Sequence, residues 1–238
     1  VTPTGKVFAL AVDRPDFWPA AEHRVDGTPL LVGMGLLDCL GWVGGAAPLS
    51  VDDLRWRKPA ICAPGCRVAL LTRQEGDSLA VELHNSQPGA GRTENWSIAA
   101  SARLTAMTAP PTQPAPLDVE ALCKNLRETE PQPVPHATRQ SGPHDGPQLD
   151  VSGRWQCRER LWLSQDGNTL LARLCLPEAY RGDFNTFRWH PAMMDIAASL
   201  ALHDVHGFVP AACKTARLYS ALTPQVYALT RITDRQPG

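Results

Sequence analysis

"HPAMMDIAASLALHD", residues 190–204, has proline in second place and then stays apolar through Leu202 apart from two residues. Proline suits the first position of a helix, where its missing N–H has no intrahelical partner to lose, so the run predicts a helix over 190–204. Its apolar residues lie nearly all round the axis, and such a helix has to be buried. Between Ala192 and Leu202 only Asp195 and Ser199 are polar. Four residues apart, they share one face, one turn from each other. A carboxylate in such surroundings costs several kcal/mol unless it is paired or keeps its proton. The same burial raises its pKa, which suits a general acid near neutral pH. The plainer alternative is that Asp195 caps a strand end or meets a backbone amide.

A second apolar helix is predicted at "GMGLLDCLGWVGG" (33–45), with Leu36, Leu37 and Leu40 on one face. Around both helices the pattern switches to alternation. "SLAVELH" (78–84) alternates through Leu79, Val81 and Leu83, and "WSIAASARLTA" (96–106) through Trp96, Ile98, Ala100, Ala102 and Leu104. "RWQCRERLWL" (154–163) and "TLLARLCL" (169–176) are further strands, joined by a turn at "QDGN". Alternation implies antiparallel sheet with one buried face. Between the halves, 109–147 is rich in Pro and Gly, with one short helical patch, "DVEALCKNL", and reads as a surface linker. The chain therefore divides at 1–108, 109–147 and 148–238. The fold class is α+β, with two antiparallel sheets, each wrapped around a buried central helix.

Composition excludes several classes of function. The chain has 238 residues and a net charge of −1, so it carries no electrostatic footprint for nucleic acid or an anionic membrane surface. No apolar run has the length of a membrane span, and no signal peptide is expected. Seven cysteines stand singly apart from "CAPGC" (62–66), in apolar surroundings that suit reduced thiols, and a cytoplasmic location is expected. "NWS" at Asn95 fits a glycosylation acceptor but falls in a strand of such a chain, so it is discounted.

The first helix is preceded by "AEHRVDGTPLLVG" (21–33). His23 is either a structural residue at a strand end or a base. Gly27 permits a tight backbone, and Gly33 stands where the helix begins. Unpaired N–H groups at a helix start can hold a thioester carbonyl. A base on one half, an acid on the other and such a cradle make a proton-transfer site at the seam. His190 is expected to fix the start of the second helix. "HDVH" (203–206) suggests a metal but lacks a third ligand, and "FWPAAEHR" (17–24) carries an aromatic pair expected in the core. Arginines 154, 158, 160 and 181 are candidates to meet an acidic partner, against the plainer reading of solvated faces.

"HRVDGTPLLVG" resembles the H-x3-G-x4-P-G motif of dehydratase domains from modular polyketide synthases, and "HPAMMDIAASLAL" resembles their H-P-x-x-x-D-x-x-x-Q/H motif. The order matches as well: histidine half, Pro-rich connection, aspartate half, then "VPAACKTARLY". The resemblance implies a double-hotdog fold and a 3-hydroxyacyl substrate on the phosphopantetheine of an acyl carrier protein. It implies that His23 removes a proton from C2 and that Asp195 protonates the departing C3 hydroxyl, with no metal or redox cofactor. Gly27, Val32, Gly33 and Ser199 are placed against the substrate, and the partners implied are the carrier protein, neighbouring megasynthase domains and a second copy in a homodimer. Val32 stands where the motif has proline, and Ser199 where it has the Gln or His that orients the aspartate. The Tyr-Gly-Pro-x-Phe stretch is missing from "GPHDGPQLDVSGRW", and the chain ends sooner than a complete second hotdog would. Branches of the family that shift double bonds or close oxygen heterocycles are alternatives, as is an idle docking module.

Overall fold

The computed structural model of the chain describes residues 5–12, 14, 16–45, 48–88, 95–107, 116–129, 149–151, 153–202 and 211–234. In chain order the elements are β1 (Gly5–Leu10), α1 (Trp18–Ala21), β2 (His23–Val25), β3 (Thr28–Pro29), α2 (Gly35–Gly44), β4 (Leu49–Trp56), β5 (Arg67–Glu75), β6 (Ser78–Gln87) and β7 (Asn95–Ala106). They continue with α3 (Val119–Asn125), β8 (Arg127–Thr129), β9 (Leu149–Val151), β10 (Arg158–Leu163), β11 (Thr169–Cys175), α4 (Pro191–Ser199), β12 (Ala212–Leu218) and β13 (Gln225–Arg231). Two antiparallel sheets result, ordered β1-β5-β6-β7-β4-β12 and β13-β11-β10-β8, with a small third sheet β3-β2-β9 between the halves.

Each helix lies against one sheet. Leu36, Leu37 and Leu40 of α2 pack with Val51, Leu54, Leu70, Val81, Leu83 and Leu104, all buried, so the predicted helical face and the inward faces of the strands meet as one core. Ala192, Met193 and Ile196 of α4 pack with Leu161, Ala172 and Leu174 in a second core. Burying each such leucine contributes about 1.5–3 kcal/mol. The two cores interlock: Val32, just before α2, sits in the second, and Trp189, just before α4, sits in the first.

The structure departs from the sequence reading in several places. Residues Gly153–Trp155 form a 3-10 turn where a strand from 154 was expected, and β10 begins only at Arg158. Trp96 is 44% exposed, because a register shift between Leu83 and His84 breaks the β6–β7 alternation before it reaches that end. Within the expected linker, α3 is present and N-capped by Asp118, whose carboxylate accepts from the Ala121 N–H at 2.9 Å. The next residues were not expected to be strand; as β8 they pair with β10. Strand β12 follows α4 in sequence yet joins the first sheet beside β4. Pairing of β9 with β2 sets Val151 opposite His23, which ties the start of the second half to the histidine strand.

Candidate functional site

The histidine is placed by a hairpin too short to have alternatives. Strands β2 and β3 are joined by Asp26 and Gly27, with φ of 49° and 74°. Two successive positive φ values are what a two-residue hairpin of right-handed strand twist needs, and Asp-Gly adopts them readily. Gly27 is exposed at this turn, and its carbonyl accepts from the Arg24 guanidinium at 3.2 Å. Across the hairpin the His23 carbonyl accepts from the Leu30 N–H at 3.0 Å. The ring Nδ1 lies 3.3 Å from the Leu30 carbonyl oxygen. A carbonyl only accepts, so Nδ1 carries the hydrogen and Nε2 keeps a lone pair free for proton abstraction.

The aspartate comes from the other half. Helix α4 starts at Pro191, and His190 caps it: its Nδ1 accepts from the Met193 N–H. Its Nε2 lies 3.2 Å from Asp183 Oδ2, which fixes the hydrogen on Nε2. Stacking on Trp18, with 5.0 Å between centroids, encloses the ring, and burial holds His190 below the ordinary histidine pKa. The expected role of His190 at the helix start is thus met by a neutral ring with both nitrogens committed. One helical turn on, Asp195 accepts from the indole N–H of Trp155 at 2.9 Å. Burial pushes its carboxyl above the usual range, opposed by the nearby His23 and by the Trp155 hydrogen bond.

Trp155 joins the two. Its side chain is 1% exposed, its N–H is on Asp195, and its ring centroid is 5.8 Å from that of His23. The histidine and the aspartate, far apart in the sequence, are therefore brought to one tryptophan at the seam. Ser199 does not take part: its hydroxyl donates to the Ile196 carbonyl of its own helix at 3.1 Å, so the polar partner of Asp195 is Trp155 and not the residue one turn on. Val32 is fully buried, and its N–H donates to the Pro19 carbonyl at 3.3 Å, a bond that proline could not make. Gly33 is pressed against Trp56, whose indole N–H donates to the Gly33 carbonyl at 3.2 Å.

The expected cradle at the helix start is narrower than four free donors. The N–H groups of Gly35, Leu36 and Leu37 turn back to the carbonyls of Val32, Gly33 and Met34. No hydrogen bond among the described residues uses the N–H of Gly33 or Met34. Among the described residues no side chain caps α2.

A half-buried charge clasp holds the two halves in register, and neither helix motif signals it. The Arg154 guanidinium, in the 3-10 turn just before Trp155, pairs with Glu22, the neighbour of His23, and with Asp183 at 2.6 Å. It lies flat between Trp18 and Tyr180, 4.5 and 4.3 Å from their ring centroids. Asp183 also serves His190, which caps the helix of Asp195, and Arg154 adjoins Trp155, so the clasp bears on residues that hold both catalytic candidates. Lysine keeps the charge but loses the fork and the flat face. Arg154→Lys is expected to lower stability by about 1–2 kcal/mol in a denaturant titration. Nearby, buried Asp38 of α2 accepts from the N–H groups of Arg188 and Trp189 at 2.8 and 2.9 Å, which pins the approach to α4.

The remaining candidates sort differently. Trp18 is buried as expected of the 17–24 pair, while Phe17 is partly buried. His203 and His206 lie outside the described residues, and no group of His, Cys, Asp or Glu among the described residues is arranged to hold a metal. Arg154 is the clasp and not a surface contact; Arg160 pairs with Glu128 at 2.5 Å, and Arg181 is exposed. All seven cysteines are free thiols, and burial pushes Cys39, Cys62 and Cys157 up to about 12. Among the described residues no helix is long and apolar enough to cross a membrane.

No family model matches the sequence, and no curated protein does. Solved structures do. An N-terminal dehydratase from the difficidin assembly line is 18% identical, with a TM-score of 0.77 over 97% of this chain and 80% of that one. The dehydratase domain of the terminal module of the rifamycin polyketide synthase is 19% identical, with a TM-score of 0.75 over 98% and 83%. Two structures of the CurK dehydratase, 18% and 19% identical with TM-scores of 0.73 and 0.71, carry a histidine-to-phenylalanine and an aspartate-to-asparagine substitution and are described as inactive mutants; the matches cover 97% and 96% of this chain and 82% and 80% of those. The chain has the double-hotdog fold of polyketide synthase dehydratase domains, two antiparallel sheets each around a helix.

Proposed function

We propose that the chain removes water from a 3-hydroxyacyl thioester to give an enoyl thioester, the acyl group being carried on the phosphopantetheine of an acyl carrier protein. The observation that carries this reading is the meeting of His23 and Asp195 on Trp155, one residue from each half. The free Nε2 of His23 takes the C2 proton, whose acidity the thioester supplies. The electron pair left at C2 forms the double bond as the C3 hydroxyl leaves, and Asp195 delivers the proton that makes it water. Burial holds this carboxyl above its usual pKa, which favours the protonated form that a general acid has to supply. The unused N–H groups of Gly33 and Met34 are the donors we assign to the thioester carbonyl, where negative charge develops. Gly27, Val32 and Ser199 bear on the substrate only through the backbone they shape, since the turn, the core and the helix carbonyl already hold them. The elimination is redox-neutral and is written without a cofactor. A carrier protein, neighbouring megasynthase domains and a second copy of the chain are the partners this reading proposes.

The test is the mass of the products from a panel of pantetheine thioesters. A 3-hydroxyacyl thioester is expected to lose water. An enoyl thioester with a distal hydroxyl is expected to stay unchanged; its conversion to a ring of the same mass would assign a cyclase instead, and migration of its double bond an isomerase. Binding of loaded carrier protein with no turnover of any member would mark an idle docking module.

A further inference from the structure

We infer that Trp155 is a positioning residue for the acid, which it aims with its indole N–H while its ring braces the base. The inference rests on the reading of His23 and Asp195 as base and acid, and it adds a residue that carries no proton itself. The N–H donates to Oδ2 of Asp195 at 2.9 Å. An oxygen accepting that bond is a poor place for the acidic proton, so the proton resides on Oδ1, turned away from the indole. The same ring packs against His23, 5.8 Å away at an interplanar angle of 32°, and meets Trp18 edge-on at 5.9 Å. With 1% exposure it has no freedom to swing, so one rigid bicycle fixes the separation of the two reacting side chains.

Position 199 leaves this task open. The Ser199 hydroxyl is held by the Ile196 carbonyl, and serine is too short to span a full turn back to the carboxylate as well. Among the described residues, the titratable groups that act on Asp195 are His23 on β2 and the Cys157 thiol just past the 3-10 turn. From α2, Asp38 is turned to the backbone of Arg188 and Trp189 instead. The indole N–H favours the ionised carboxylate and so opposes the rise that burial causes. Taking that donor away lets the Asp195 pKa climb further.

The experiment replaces Trp155 by 3-benzothienylalanine, which keeps the bicyclic shape and puts sulfur where the N–H stood. Trp155→Phe serves as a second variant. Carbon-13 NMR of aspartate-labelled protein, with the Asp195 signal assigned by its loss in Asp195→Asn, follows the titration without any turnover. Both variants are expected to shift the midpoint upward by about one to two pH units, the worth of one hydrogen bond to a charged group. In the water-loss assay the alkaline limb of the pH profile moves up with it, kcat falls about tenfold near neutral pH and KM holds. Adding Ser199→Gln to Trp155→Phe is expected to bring the midpoint back down, because a glutamine amide one turn away can reach the carboxylate. An unchanged midpoint in the benzothienyl protein would overturn the inference. A wild-type protein that shows the midpoint shift on substitution but eliminates no water would instead overturn the dehydratase reading and leave the aiming of Asp195 in place.

Discussion

Asp195→Asn is expected to lose water-eliminating activity by about 10²–10⁴-fold, the range a positioned general acid contributes. The same variant is expected to melt at a higher temperature than the wild type at pH 8. Asparagine has the shape of the carboxyl, and its carbonyl can still accept from Trp155, but it has no proton to deliver and no charge to bury. The second effect follows from linkage. Burial raises the folded-state pKa of Asp195 above its unfolded value. The folded chain therefore binds this proton more tightly, and stability falls with rising pH between the two values. What Asp195 contributes is fully present below the ordinary aspartate range of about 3.9 and is lost as pH rises through the folded value. The gap between variant and wild type should accordingly shrink as the melting curves are repeated toward pH 5. A loss of activity accompanied by equal destabilisation at every pH would show that asparagine had disturbed the fold and not the chemistry.

Gly41→Ala is expected to destabilise the protein by about 3 kcal/mol or more, at or beyond the upper end of overpacking costs. A Cβ at this position would stand 1.8 Å from Cζ3 of Trp189 and under 3 Å from two further ring carbons. Trp189 is 2% exposed, its N–H groups are tied to Asp38 and the Ser220 carbonyl, and it directly precedes the helix-capping His190. The ring therefore has nowhere to go except by pushing α2 and α4 apart, which would also draw Asp195 away from Trp155. Denaturant titration reads the first effect; loss of the Asp195 titration shift reads the second. The glycine is thus a contact point between α2 and the approach to α4: it lies one turn after Leu37 on the helix, and Trp189 packs into the same core as Leu36, Leu37 and Leu40.

Much of this was legible in the sequence for a simple reason: both helices and the main strands are specified locally. Pro191 and the apolar run mark α4, Gly27 permits the tight backbone after His23, and the alternation of Leu79, Val81 and Leu83 marks a strand. The polar partners were not legible, because they come from distant parts of the chain. Arg154 meets Glu22 across 132 positions, and Trp155 meets Asp195 across 40. Read alone, "RWQCRERLWL" looks like the start of a strand. Its first residues instead turn inward as a 3-10 segment, where an arginine finds two carboxylates and a tryptophan finds the acid. Ser199 misled for the complementary reason. Helical spacing places it beside Asp195, but a serine on a helix has a backbone carbonyl within easier reach. The edge strand β8 was hidden by composition, since it lies in a Pro-rich stretch, and the place of β12 by order, since it joins the sheet of the opposite half.

The measurement that bears most directly on the seam is the mass of a 3-hydroxyacyl pantetheine thioester after incubation with wild type and with His23→Ala. The account predicts loss of water by the wild type and a drop of about 10²–10⁴-fold in the variant, with the melting temperature little changed. Equal loss of water by both proteins would contradict it, because the base would then have to lie elsewhere.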